Sequence, residues 1–279
     1  TVSFGEGWNA GTKLLNLFVP NTLPNTTLKP QKNESLEFGA DLRFFLDRVR
    51  LDFTYYNQKS INQIVDIATS AASGYTAKTV NAGRIDNKGV EILLALTPVK
   101  TNDFRWDVTF NFAKNKNEVV ELAEGIERFV LGSYWSLQVL AMPGGAYGVL
   151  YGYDFDRAPD GNIIYTNGLP TQGDLKPLGN ATPDWLGGML NEFSYKGWNA
   201  SFLIDTKQGG DVYSMTTTWG RYAGATEETL IGREGGIVGD GVMPDGNGGF
   251  VPNTVVASAE AFNKAAYVSD VAYSSVFDG

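Results

Sequence analysis

The residues Asp156-Arg-Ala-Pro-Asp160-Gly161 come close to the spacing of a calcium-binding loop. Such a loop needs oxygen ligands at alternate positions before its glycine and a bidentate acid further on. Ala158 takes one of those positions, and Asn167 stands where the bidentate acid belongs. The stretch therefore reads as an ordinary turn. Glycoside hydrolysis would need two carboxylates at a defined separation, and the 31 acidic residues cannot be paired without distances. The chain has no histidine and no cysteine. That removes disulfides, thiolate nucleophiles, histidine or cysteine zinc sites and any Ser-His-Asp triad. Gly5-x-Gly7 and the Gly-rich run 235–249 lack the strand–turn–helix setting of a nucleotide loop. No catalytic residue, metal ligand or cofactor is assigned, and the chain reads as a non-enzyme.

One group of residues suits binding. Tyr134, Trp135, Trp219 and Tyr222 lie in long connecting segments. Aromatic rings in loops can stack on the apolar faces of sugars while neighbouring polar groups satisfy the hydroxyls. They serve equally well to pack the loops or to meet a partner protein. These four are the candidate ligand-binding residues.

The chain must bring them together with an unusual composition. Of 279 residues 33 are glycine, 13% are aromatic and only 19% are charged. With 43% hydrophobic residues it is not disordered. Short alternating segments in such a chain indicate an all-β fold. The net charge, 22 − 31 = −9, argues against a nucleic-acid partner. No apolar run is long enough for a membrane helix, but membrane strands need only about ten alternating residues and escape that test.

Three hairpins stand out. In 184–209 the odd positions Trp185, Gly187, Met189, Phe193 and Tyr195 give way, across Lys196-Gly197, to the even ones Trp198, Ala200, Phe202 and Ile204. A two-residue turn pairs Tyr195 with Trp198 and puts both apolar sets on one face. Leu186 and Leu190 fall on the polar face and Asn191 on the apolar one. In 36–57, Phe38, Ala40, Leu42 and Phe44 are followed by Val49, Leu51, Phe53 and Tyr55. A turn at Asp47-Arg48 sets Arg43 opposite Asp52; a turn at Leu46-Asp47 sets it opposite Arg50. The first is preferred, because opposite charges attract across a pair. In 88–117, Val90, Ile92, Leu94 and Leu96 pair across Pro98–Asp103 with Trp106, Val108, Phe110 and Phe112. Asp41, Asp52, Asp107 and Asp205 fall on the polar faces, where solvation accounts for them.

The connections are uneven. Turns of two to five residues close the hairpins on one side. The segments 58–87, 118–183 and 210–279, of 30, 66 and 70 residues, join them on the other. They hold a strand-like stretch, Ile61 to Ile67, and a short helix near Met215 to Gly224. Compact soluble domains rarely carry loops beyond ~15 residues. Outer-membrane barrels do, and they place aromatic girdles near their short turns, as Phe44, Phe45, Phe104, Trp106, Tyr195 and Trp198 would be. The expected fold is an antiparallel transmembrane β-barrel segment with hairpins and long extracellular loops. The alternative is a soluble β-sandwich carbohydrate-binding module, whose apolar face would be its core.

Four stretches together resemble one family: TLPNTTLKPQKNESLEFGADLRFFLDRVRLDFTYYN (22–57), SGYTAKTVNAGRIDNKGVEILLALTPVKTNDFRWDVTFNFAKNKNEVVEL (73–122), GGAYGVLYGYDFDRAPDGNI (144–163) and LGNATPDWLGGMLNEFSYKGWNASFLIDTKQGGDVYS (178–214). They look like the C-terminal part of the barrel in SusC/RagA-class TonB-dependent outer-membrane transporters of Bacteroidetes-type bacteria. The resemblance covers most of residues 20–235. Gln31 departs from the usual Glu after Leu-Lys-Pro, and Gly145-Ala146 from the frequent Arg-Pro before Tyr-Gly. The resemblance implies an outer-membrane barrel of 22 strands and an N-terminal plug. It implies energy from the TonB complex, a SusD-like surface lipoprotein as lid, and a glycan or peptide cargo. On that reading residues 1–279 are a partial barrel domain. The plug, the TonB-contacting segment and several strands belong to other parts of the protein.

The topology is testable because the chain has no cysteine of its own. On whole cells carrying the full-length protein, an impermeant thiol reagent is expected to label cysteines placed in 58–87, 118–183 and 210–279. Those at Asp47-Arg48, Thr101–Asp103 and Lys196-Gly197 should stay unlabelled. Equal labelling of both sets refutes the arrangement.

Overall fold

The computed structural model describes residues 3–7, 14–18, 20–267 and 276–277. Its centre is one antiparallel meander. The six strands are β1 (Lys32–Phe44), β2 (Val49–Ala68), β3 (Ala77–Lys100), β4 (Phe104–Glu121) and, after a long insertion, two more. The insertion holds β5 (Phe129–Tyr134), β6 (Leu137–Ala141), β7 (Tyr147–Phe155) and β8 (Gln172–Asn180), which form their own sheet in the order β8-β7-β6-β5. Then β9 (Trp185–Tyr195) and β10 (Trp198–Gln208) complete the order β10-β9-β4-β3-β2-β1. Thr22–Leu23 runs parallel beside Ala77–Lys78 as a seventh, two-residue strand, and Ser3–Gly7 pairs with Leu14–Phe18.

Register turns six separate alternations into one surface. Leu42, Leu51, Leu94, Phe110, Met189 and Ile204 follow one another across the six strands as direct partners. The apolar sets of all three hairpins therefore share a face. Among the described residues no second sheet covers that face: Phe38 is 62%, Ile204 53% and Trp198 81% exposed. A sandwich would bury these side chains, so the soluble-module reading is overturned. The band runs nine residues along β1, Leu36 to Phe44, and eleven along β9, Trp185 to Tyr195, which is eight and ten residue steps. That is about 27–34 Å along the strands, and a barrel tilt near ~40° brings it close to the ~25 Å of an outer-membrane apolar belt.

Near the short turns the belt is aromatic. Phe193 stacks on Trp106, Phe104 and Phe202 with ring centroids 5.8, 6.5 and 6.2 Å apart. Asn191 is tolerated on this face because its Oδ1 accepts the Trp106 indole N–H at 3.2 Å. The opposite face is polar and threaded with charge. Asp41 accepts from Arg50, and Asp107 from Arg105 and Thr97. Tyr56 reaches across β3 to donate to Asn115 Oδ1 at 3.2 Å, and its ring lies where any side chain on Gly89 would collide.

All three short turns lie on one rim. Lys196-Gly197, at φ 44° and 88°, pairs Tyr195 with Trp198 as the alternation requires. Its Lys196 N–H donates to Asp103 of the neighbouring turn at 3.1 Å. The first turn corrects the expectation. Phe45 to Arg48 form a four-residue loop with Phe45, Leu46 and Asp47 all at positive φ, so Arg43 faces Arg50 and Asp41 faces Asp52. The two registers differ by two residues and keep the same faces, so the apolar pattern cannot separate them. The like-charged arginines are accommodated because the Asp41 carboxylate lies within 3.3 Å of Arg43 and 3.1 Å of Arg50.

The other rim departs further from the sequence reading. Segment 58–87 is not a connection. It continues β2 to Ala68 and starts β3 at Ala77, leaving residues 69–76 as the loop. The strand-like stretch Ile61 to Ile67 lies inside β2. Above the belt both faces meet water, so alternation fades while hydrogen-bonded pairing goes on. Segments 118–183 and 210–279 carry structure of their own: the second sheet, α1 (Met215–Tyr222), α2 (Ala259–Tyr267) and several short strand pairs.

Placing arginine at Leu94 or Phe110 in the full-length barrel is expected to cost about 2–4 kcal/mol of folding free energy in bilayers, as for charges at mid-membrane. Arginine at Thr109, on the polar face, should cost much less. Equilibrium folding into phospholipid vesicles measures both, and similar penalties would contradict the assigned faces.

Candidate functional site

The two long connections share a core. Leu137 and Leu150, both nearly fully buried, pack with Val139 and Leu178 of the second sheet and with Tyr213 and Val276 of the last segment. This core anchors β6, so the β5–β6 hairpin tip stands beside α1. The hairpin is tight, with Tyr134 paired to Leu137 and only Trp135 and Ser136 between them. The second sheet is tied to the barrel wall by Val119, which exchanges backbone bonds with Gly145 and Gly144 at 2.9 and 2.8 Å.

Helix α1 begins where the Ser214 hydroxyl accepts the Thr217 N–H at 3.2 Å, a normal N-cap. It ends before Gly224, at φ 69°, whose N–H returns to Arg221 O. Helix α2 begins where Ser258 Oγ accepts the Ala261 N–H, and Glu260 and Lys264 pair one turn apart at 2.7 Å. A 3₁₀ turn, Glu227–Leu230, lies between them in sequence. Arg221 donates to Glu228 at 2.6 Å, which holds the Glu228 carboxyl below its ordinary range. Arg233 donates to the backbone carbonyls of Thr229 and Gly224.

Three of the four candidate residues meet. Trp135 and Trp219 approach edge to face with centroids 4.9 Å apart, and Trp219 meets Tyr222 at 5.5 Å and 90°. Trp135 is 62% and Trp219 39% exposed, so the cluster faces solvent rather than a core. Tyr134 stays apart. Its ring lies against Gly132 of its own strand and makes no ring contact with the other three among the described residues. The sequence missed Lys264, whose ammonium sits 5.6 Å from the Tyr222 ring centroid. The signal was present, since Ser258 followed by Glu260 and Lys264 is a capped helix with an i,i+4 ion pair.

Trp135 holds φ 56°, a left-handed conformation that costs a bulky residue about 1–2 kcal/mol. Such strain persists where the surroundings enforce it and tends to mark functional sites. Beside the cluster opens a groove of about 820 Å³ lined by Tyr222, Gly224, Arg233, Glu260, Asn263 and Lys264. The charges at its rim are engaged with one another. The arrangement offers apolar ring faces next to amide, hydroxyl and backbone groups, which suits an uncharged polar chain. The calcium-like stretch is a turn. Asp160 accepts from the Asn162 backbone and side-chain amide, and Gly161 takes φ 89°.

Trp135→Gly is expected to relieve the turn, leaving stability equal or about 1 kcal/mol higher. It should also abolish the exciton-coupled circular dichroism of the Trp135–Trp219 pair, as should Trp219→Phe. A couplet that survives Trp135→Gly would show that the rings do not pair in solution.

The family description "TonB dependent receptor-like, beta-barrel" fits residues 1–263. Among relatives, TonB-dependent receptor P3 of Formosa agariphila is 27% identical over 231 residues, covering 74% of this chain and 23% of that protein. TonB-dependent receptor SusC of Bacteroides thetaiotaomicron is 24% identical over 205 residues, covering 68% of this chain and 20% of that protein. The chain spans about a quarter of the length of the relatives it matches. The RagAB peptide importer in its closed-closed state shares the fold, with a TM-score of 0.67 at 15% identity over 100% of this chain and 30% of its own. A second structure, the RagAB peptide transporter, gives 0.61 at 18% identity over 79% and 25%. With one apolar face left to lipid, three short turns on one rim and a sheet that six long strands leave open, the chain belongs to the TonB-dependent receptor β-barrel family and is part of a SusC-like barrel of the outer membrane.

Proposed function

We propose that this chain is the loop-bearing part of an outer-membrane, TonB-dependent importer of oligomeric nutrients, glycans or peptides, working with a SusD-like surface lipoprotein. Its partial barrel domain, residues 1–279, supplies wall strands and outward loops. The plug and the TonB-contacting segment come from the rest of the protein. The reading is supported by relatives named as SusC-type receptors and by the fold shared with a peptide importer.

The observation that carries it is the convergence of Trp135, Trp219 and Tyr222 from two connections, on the rim opposite the short turns. Loops on a rigid frame carry recognition because they vary without disturbing the fold. The three rings and the adjoining groove are the contact for cargo or for the lid. Tyr134, one residue from Trp135, lies within reach of a bound chain at the hairpin tip. Stacking on such rings is tolerant of sequence or linkage, and the polar rim orients the chain.

Replacing Trp219 and Tyr222 by alanine in the full-length importer is expected to lower uptake at least tenfold while outer-membrane abundance stays normal. Uptake assays paired with quantitative immunoblots of outer-membrane fractions decide this. Uptake that falls only in step with abundance would reduce the cluster to a loop-packing element.

A further inference from the structure

The outer face of the main sheet changes character abruptly at the end away from the short turns. Strand alternation carries Val90 to Lys88 on β3 and Phe112 to Lys114 and Lys116 on β4. All three lysines are exposed. Register makes them neighbours, since Lys88 directly opposes Lys116 and Lys114 opposes Val90. Like charges directly opposite each other in a strand pair destabilise it, so the pair calls for an anion. The nearby acids do not fully supply one. Asp86 is held by Arg84, and Glu118 reaches Lys116 only at 3.8 Å. Lys88 and Lys114 form no ion pair among the described residues.

A crevice of about 400 Å³ opens beside them where β4 runs on past the start of β9. Lys114, Lys116, Glu118, Asn180, Thr182 and Asp184 line it. Asn117 bridges its floor, accepting the Tyr147 N–H at 2.7 Å and meeting Thr182 Oγ1 at 3.4 Å.

We infer that Lys88, Lys114 and Lys116 with this crevice form a binding site for the phosphorylated headgroup of a membrane lipid. The occupant is set by position. The lysines stand on the lipid-contacting face, one step beyond the last apolar side chains, which is where headgroup phosphates lie when the belt is in hydrocarbon. Each lysine near a phosphate-bearing surface strengthens binding roughly fivefold, while their long stems continue the apolar belt. Such a lipid would clamp β3 to β4 at the height where the loop sheet joins the wall.

The test uses the full-length barrel in phosphatidylcholine nanodiscs with and without lipid A, reading bound lipid by native mass spectrometry. The wild type is expected to retain lipid A in preference to phosphatidylcholine. The Lys88→Gln, Lys114→Gln, Lys116→Gln variant should lose that retention by a factor of roughly 100, from about fivefold per lysine. Millimolar inorganic phosphate should not displace the lipid. Undiminished retention in the variant overturns the site. Displacement by inorganic phosphate with the same lysine dependence overturns the lipid assignment. Should the triple variant fail to give the heat-resistant compact gel band of a closed barrel, Lys88→Gln alone decides: it removes the opposed charge pair and must still weaken retention several-fold.

Discussion

Inside a bilayer no water is available to a backbone amide or carbonyl, so each must find its partner within the protein. That constraint accounts for the regular pairing of the main sheet across the apolar belt, from Val49↔Leu96 to Tyr55↔Val90 between β2 and β3. Strands β2 and β3 pair from Val49↔Leu96 to Ala68↔Ala77, far beyond the apolar belt. The same constraint explains why the sheet cannot end where it does among the described residues. The outer edges of β1 and β10 carry no neighbour there, and a membrane barrel has no edges. Further strands must seal both.

With the backbone satisfied by pairing, the two faces are free to be chemically opposite. The outer one is continuous aliphatic and aromatic surface, stacked into a ladder around Phe193 near the short turns. The inner one carries carboxylate–arginine pairs and the Tyr56–Asn115 bond across Gly89. Most of these ion pairs are half exposed, so they contribute little stability. They keep charge solvated and neutralised on the polar face of the wall.

Above the belt the rules change. The two long connections fold onto each other through Leu137, Leu150, Tyr213 and Val276, and this small core seats a hairpin tip against a short helix. The strained Trp135 and its partner Trp219 are consequences of that seating. The loops are a second layer of structure built on the rim, held to β4 through Val119 and to the segment after β10 through Asp211, whose carboxylate accepts the Asn180 N–H.

What the sequence determined by itself was everything that burial in lipid dictates. Period-two alternation placed the three hairpins, the lipid face and the Lys196-Gly197 turn, because a one-residue slip would turn every apolar side chain to the wrong side. It also singled out Tyr134, Trp135, Trp219 and Tyr222 as aromatics in the long connections. Where that penalty vanishes, so did legibility. The first turn was misread because registers two residues apart keep the same faces, and only the reach of Asp41 to both Arg43 and Arg50 separates them. Residues 58–87 were read as a connection because strands wet on both faces lose the alternation while keeping the hydrogen bonds. The meeting of Trp135 with Trp219, and the exclusion of Tyr134 from it, belonged to the tertiary structure alone. Residues 84 positions apart come together through a shared core, and no local pattern records which distant leucine a tyrosine will find.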